Sequence, residues 1–185
     1  MKITYPGFLV FATLTLVVSS LAGCSSPRDT TDPQIKAINL IREQLGLPEL
    51  PLTAVGDAVM SNSPGGDLKV AHFVDSEKRE FFVEPKTNQV VEIDARAILT
   101  SIPPDAPSLS QDELRAKVND FLGESSPNFE EIQKTLSYEE GGKIDNYFFT
   151  WYGVSSSTSM NRPFLQLAYH KSGALFAYYN TLFLK

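Results

Sequence analysis

The sequence is poor in cysteine, histidine and positive charge: it has one Cys, two His, and 16 Lys and Arg against 22 Asp and Glu, a formal balance of −6. Each scarcity excludes a class of function. A single thiol closes no internal disulfide, and one Cys with two distant His supplies too few ligands for a Cys/His zinc site. Nucleic-acid binding needs clustered Lys and Arg to neutralise phosphates, and here the basic residues are scattered. Long apolar runs are scarce too. The one candidate, Gly7 to Val18, is shorter than the ~20 residues that span a bilayer. Gly65-Gly66 and Gly141-Gly142 lack the pattern of a phosphate-binding loop and read as hairpin turns.

What is present begins with that apolar run. Lys2 precedes it, Ser19 and Ser20 follow it, and the segment ends on Leu21-Ala22-Gly23-Cys24. Charged start, apolar core and small-residue end form a secretory signal over residues 1–23. A signal anchor and an ordinary cleaved signal fit the same outline. Leu-Ala-Gly-Cys, however, resembles the bacterial lipobox. That resemblance implies cleavage between Gly23 and Cys24, covalent lipid on Cys24, and a place in the bacterial cell envelope. The chain would sit on the plasma or outer membrane, facing away from the cytoplasm, with the membrane as a partner through its anchor. Each buried methylene contributes about 0.8 kcal/mol, and stable anchoring takes more than one acyl chain. Cleavage removes Lys2 and no acid, leaving 15 basic and 22 acidic residues, a balance of −7. Anionic lipid would repel such a body, so the anchor holds it.

Residues 24–32 are polar and read as a flexible tether. Asp32-Pro33 then starts a helix, as an N-cap with proline at the first helical position, and Ile35, Ile38, Ile41 or Leu40, and Leu45 give its apolar stripe before Gly46. Beyond Pro51 the period becomes two. A weak strand near 54–60, the alternation Leu68, Val70, His72, Val74, and the runs 81–83 and 90–93 predict three or four antiparallel strands. Pro103, Pro104 and Pro107 mark an internal boundary over 101–109. A second helix follows, with Ser110 and Glu113 as a capping box and Leu114, Val118, Phe121 and Leu122 as its stripe. Strands are predicted at 132–138, 144–152, 164–169 and 174–181.

The order of helix and then strands thus occurs twice, predicting an α+β fold of two tandem units, 33–100 and 110–185, each a helix packed on three to four antiparallel strands. A single continuous domain with two similar hairpins is the competing reading. Superposing the final hairpins matches Lys86-Thr87-Asn88 with Lys171-Ser172-Gly173, Val90 with Leu175, and Val91 with Phe176. Residues 82–91 (FVEPKTNQVV) and 165–176 (LQLAYHKSGALF) resemble the terminal hairpin of the PepSY and PepSY-like group, and Tyr147-Phe148-Phe149-Thr150-Trp151 is similar to the Y-x-F-x-W strand of tandem PepSY-like envelope proteins. Asn88 stands where that hairpin has glycine, and His170 where an acid is usual. The resemblance implies a cystatin-like helix on a curved sheet, in units that occur in propeptides of secreted metalloproteases and are proposed to inhibit or chaperone a protease. It carries no catalytic residues.

Direct inspection for chemistry agrees with that picture. His72 sits in a strand alternation and reads as a core-side or edge residue, while His170 leads into a turn; neither lies in a nucleophile motif. Adjacent acids on a strand point to opposite faces, so Glu130-Glu131 and Glu139-Glu140 read as solvated charges. No catalysis, no metal and no cofactor beyond the lipid on Cys24 are expected. The 20 aromatic residues are more telling. Tyr147, Phe149 and Trp151 share one strand face and, with Tyr179, make a candidate binding surface; burial between the two units is the alternative. The serine-rich stretch 155–159 reads as a spacer or a functional loop. The leading expectation is a lipid-anchored envelope module that binds a protein or peptide, with a small-ligand carrier or sensor using an aromatic-lined sheet pocket as the alternative. A hydrolase using His72 or His170 ranks last.

Overall fold

The computed structural model describes residues 32–64, 66–154 and 162–182, so the lipobox with Gly23 and Cys24, Gly65 and the serine-rich stretch 155–159 lie outside the described residues. Asp32 caps helix α1 (Pro33–Gln44) by accepting the Gln34 N–H at 2.9 Å. Ile35, Ile38 and Ile41 form its buried stripe, and Leu40 points out at 57% exposure. Four strands follow: β1 (Leu52–Ser63), β2 (Gly66–Asp75), β3 (Glu80–Glu84) and β4 (Gln89–Asp94). After a 3-10 turn at Arg96–Ser101 comes α2 (Gln111–Ser125), whose capping box between Ser110 and Glu113 forms as expected. A short helix α3 (Phe129–Ile132), a 3-10 turn at Gln133–Thr135, and strands β5 (Ser137–Lys143), β6 (Asn146–Tyr152), β7 (Phe164–His170) and β8 (Leu175–Asn180) complete the chain.

The fold is α+β, and the eight strands join one sheet in the order β1-β2-β3-β4-β8-β7-β6-β5, with every neighbour antiparallel. Two four-stranded meanders therefore meet edge to edge at β4 and β8. The seam is short: Glu92 faces Tyr179, Ile93 faces Tyr178 and Asp94 faces Ala177. Both long helices lie on one face, where their stripes share a single core with Phe73, Phe81, Val83, Ile93, Phe149, Leu165, Leu167 and Tyr178. The other face has two smaller apolar clusters. Met60, Val70, Phe82 and Val91 form one, where the β1–β2 hairpin extends past β3; Ile98 and Leu99 of the 3-10 turn cover Ala168, Phe176 and Ala177 in the other.

The two inner hairpins share details beyond their outline. Val91 is an extra residue in β4 between the pairs Val83↔Val90 and Phe82↔Glu92, and Phe176 is an extra residue in β8 between Tyr169↔Leu175 and Ala168↔Ala177. Each is a β-bulge, which turns the following side chains over. Asn88 (φ 58°) and Gly173 (φ 83°) both take the left-handed conformation in the turns before them. Each turn is also closed by the side chain at its start: Glu84 accepts the Thr87 N–H and hydroxyl, both at 2.7 Å, and His170 Nδ1 accepts the Ser172 N–H at 3.1 Å, 2.9 Å from its hydroxyl.

Three expectations about local structure are corrected. The strand predicted at 132–138 starts only at Ser137, as β5, and its first part is α3 and a 3-10 turn, because Phe129 buries itself edge-on against Trp151 at 5.5 Å and two acids favour the helix start. Gly141-Gly142 lie inside β5, opposite Phe148 and Tyr147, and the turn falls at Ile144-Asp145, where Ile144 has φ 60°. Tyr147 accounts for Gly142, where a Cβ would come within 2.9 Å of its ring; at Gly141 a Cβ would meet nothing within 4 Å. The strand predicted at 144–152 accordingly starts two residues late, at Asn146.

Candidate functional site

Strand alternation places a mainly polar row, interrupted by Phe82, on the face away from the helices. In β2, Ala71 and Phe73 enter the helix-side core, which turns Val70, His72 and Val74 to the opposite side. From His72 the register runs across the sheet through Phe82, Glu92, Tyr179, Gln166 and Thr150 to Glu139. His72 is buried, stacks on Phe82 with centroids 4.5 Å apart, and holds Nε2 3.1 Å from Glu80 Oε2. Burial lowers its pKa while Glu80 opposes the fall.

Glu92 is the centre of the row. It is 3% exposed, and its Oε2 has no hydrogen-bond partner. Burial, helped by the negative charge of Asp94, pushes its carboxyl up to about 7; Tyr179 and Arg96 oppose the rise. Arg96 itself is engaged with Asp94, its Nε lying 2.9 and 3.0 Å from the two carboxylate oxygens. Beside Glu92, Tyr179, Phe164 and Tyr152 form a half-buried aromatic strip with centroid spacings of 6.1 and 6.3 Å, and the Arg162 guanidinium sits 3.8 Å from the Tyr152 centroid. The Phe82 ring stands between Glu92 and His72 in the row, so the two titratable groups are not an acid-base pair in contact.

The four aromatics singled out in the sequence separate. Tyr147, Phe149 and Trp151 all face the helices, where Phe149 is fully buried, Trp151 is 5% exposed, and Tyr147 packs over Gly142 at the core's edge. Tyr179 lies on the opposite face, because the bulge at Phe176 sends Tyr178 into the helix-side core. His170 closes its turn as described. Glu131 is an exposed group 2.7 Å from Lys134 on the α3 segment. Glu140 departs from the solvated reading: it takes hydrogen bonds from Arg115 at 2.7 and 2.8 Å, Gln111 at 2.6 Å and the Tyr138 hydroxyl at 2.7 Å, and these hold its carboxyl down to about 2.

One buried charge cluster escaped sequence reasoning. Asp75 accepts from Arg42 at 2.9 Å and from Arg79 Nε at 2.7 Å, with all three side chains at 1% exposure or less. Arg42 also donates to the Leu50 carbonyl at 2.9 Å and lies 4.5 Å from the Phe81 centroid, so the cluster locks α1 to the β2–β3 turn. Its only sequence signal is an arginine next to Ile41 on the apolar side of α1. Among the described residues no group of three or more His, Asp, Glu or Cys is placed to hold a metal ion.

The sheet also ends in two unlike edges. β5 carries Glu139, Glu140 and Lys143, charges that discourage strand addition. β1 has 12 residues and a single charge, Asp57, and pairs only with β2; Val55 and Val59 are 49% and 44% exposed along it. No helix among the described residues is long and apolar enough to cross a membrane. No family model, curated protein or solved structure matches the chain.

Proposed function

We propose that the chain is a non-catalytic, lipid-anchored protein of the bacterial cell envelope that binds a partner polypeptide by adding the partner's extended segment to the free edge of β1. The observation that carries this reading is the edge itself. A twelve-residue edge strand with a single charge offers backbone donors and acceptors along its outer side, interrupted where its register with β2 shifts at Val55 and between Met60 and Ser63, and natural proteins normally guard such edges with charge, bulges or a cover. Strand addition places affinity in the main chain and specificity in alternate side chains, a role for which Val55 and Val59 are exposed.

The two meanders are read as tandem copies of one PepSY-like unit, a reading supported by their matched bulges at Val91 and Phe176, matched left-handed turn residues, and matched turn-closing side chains Glu84 and His170. Regulation or chaperoning of an envelope protease is the activity this implies. Attachment rests on Cys24, so Cys24→Ala should move the protein from the membrane fraction to the soluble fraction; unchanged attachment would overturn the anchor. Binding is tested by recovering partners from detergent-solubilised envelope and following hydrogen exchange of the β1 amides in the complex. The expected result is protection of β1 and loss of binding in the Val55→Lys/Val59→Lys double variant. A complex that leaves β1 exchange unchanged would refute the edge mode.

A further inference from the structure

The shortest strand pairing in the sheet is the one that joins its two halves, the seam of β4 with β8. One end of that seam is open. Pairing stops at Glu92 and Tyr179, next to the Val91 bulge, and beyond it a side chain takes over: Gln89 Nε2 donates to the Asn180 carbonyl at 3.3 Å. The last pair before this opening holds the buried Glu92, whose Oε2 has no partner. A dry carboxyl group thus stands at the loose end of the joint between the meanders.

The groups around Glu92 give its charged form little support. On its own strand Asp94 adds like charge and is itself held by Arg96. From β3, Glu80 adds a second like charge and lies 3.1 Å from His72 Nε2 of β2, while Glu84 is turned to the Thr87 N–H and hydroxyl. Tyr179 of β8 and Arg96 of the 3-10 turn favour ionisation, and burial outweighs both. Further along the row Gln166 and Thr150 are uncharged, and Arg162 and Glu139 pair with each other at 3.6 Å. An ionised Glu92 therefore gains most by reaching water, and the open end of the seam is beside it.

We propose that the β4–β8 seam is a proton-operated latch: it is closed while Glu92 carries a proton, and loss of that proton favours a form in which Glu92 and Tyr179 part and the seam opens from that end, each meander keeping its own strands. The two halves are built to survive such an opening. Within each, strands pair with their sequence neighbours, and α1 packs on β3 and β4 while α2 packs on β6. The latch is independent of the β1 edge.

Amide hydrogen exchange of the ¹⁵N-labelled full chain between pH 5 and 8, with and without urea below its unfolding range, tests the latch, with Glu92→Gln as comparator. The Ala95 N–H donates to the Phe176 carbonyl across the seam at 2.9 Å, and in an antiparallel ladder the next bonded pair lies two residues on, at Ile93 and Tyr178. These three amides report the seam; Phe149 and Leu167, in inner strands, report global unfolding. After division by intrinsic exchange rates, protection of the seam amides should fall on the order of 100-fold from pH 5 to 8, because a carboxyl that ionises near 7 in the closed form returns to 4.5 in the open one. It should also be lower than that of Phe149 and Leu167 and insensitive to urea, since a local opening exposes little surface. In Glu92→Gln the pH dependence at the seam should vanish. If that variant fails to fold, the pH and urea dependence of the parent decides alone. Seam amides that match Phe149 and Leu167 in protection and urea dependence, protection that does not change with pH, or a parent-like slope in Glu92→Gln would overturn the proposal.

Discussion

Glu92→Gln isolates the cost of a carboxyl group held almost dry in the middle of a sheet. In the unfolded chain this group ionises near 4.5, and in the fold only near 7. Below pH 4.5 both states keep the proton and the group costs nothing. Between 4.5 and 7 the unfolded chain releases its proton first, so stability falls as pH rises, and above 7 the loss is complete. A difference of about 2.5 pK units at 1.36 kcal/mol each gives a penalty of about 3 kcal/mol at pH 8. Glutamine preserves shape and abolishes the charge, although an amide proton left without a partner returns about 1 kcal/mol of that gain. The variant should therefore be more stable than the parent by about 2 kcal/mol at pH 8, with the difference shrinking by about 3 kcal/mol at pH 4. Urea unfolding at pH 4, 6 and 8 measures this directly. Other titrating groups are common to both proteins and cancel in the difference, and an unchanged m-value would show that the denatured state is not involved. A gap that does not vary with pH, or a variant less stable than the parent at pH 8, would refute the assignment of Glu92 as a buried group that ionises near neutrality.

Two further outcomes follow from the ion pairs. Asp75→Asn leaves two buried guanidinium groups without their carboxylate and should cost about 3 to 5 kcal/mol in urea unfolding; a loss under about 1 kcal/mol, typical of exposed pairs, would show that Asp75 does not hold the cluster together. Glu140 has its carboxyl lowered by Arg115 and its other donors, so its contribution is present above pH 4.5 and is lost as pH falls towards 2. The urea midpoints of Glu140→Gln and the parent should thus differ at pH 6 and converge at pH 2, and parallel curves would count against the network.

Much of the local architecture is legible because its causes are local. Asp32-Pro33 and the Ser110–Glu113 box are chemical signals within four residues, and both helices start where they predict. Alternation in β2, and the match of Val90 with Leu175 and Val91 with Phe176, follow from side-chain period and turn chemistry. Glycine signals either a turn or a close approach, and at Gly142 only the position of the Tyr147 ring separates the two. Simple alternation groups Tyr179 with Trp151, and nothing in the sequence shows that a bulge at Phe176 changes the face of β8. Glu92 and Arg42 escaped for a different reason. Their burial depends on strands and loops distant in the chain, and an acid or an arginine in the sequence carries no mark of what covers it.

The short seam between β4 and β8 also bears on the order in which the chain folds. Every other strand pairing joins neighbours in sequence, so β1 to β4 and β5 to β8 each close through local connections, the longest of them between Tyr152 and Phe164. Contacts of low sequence separation incur little loop entropy and form fast. α1 packs on β3 and β4 and α2 on β6, which keeps each helix with its own meander. By that topology the last contacts expected to form are those between the two halves of the sheet, three residue pairs and the helix-side core. At that moment the backbone of β4 and of β8 is exposed as two further free edges, so a chain halted before docking presents four open strands to its surroundings in place of two.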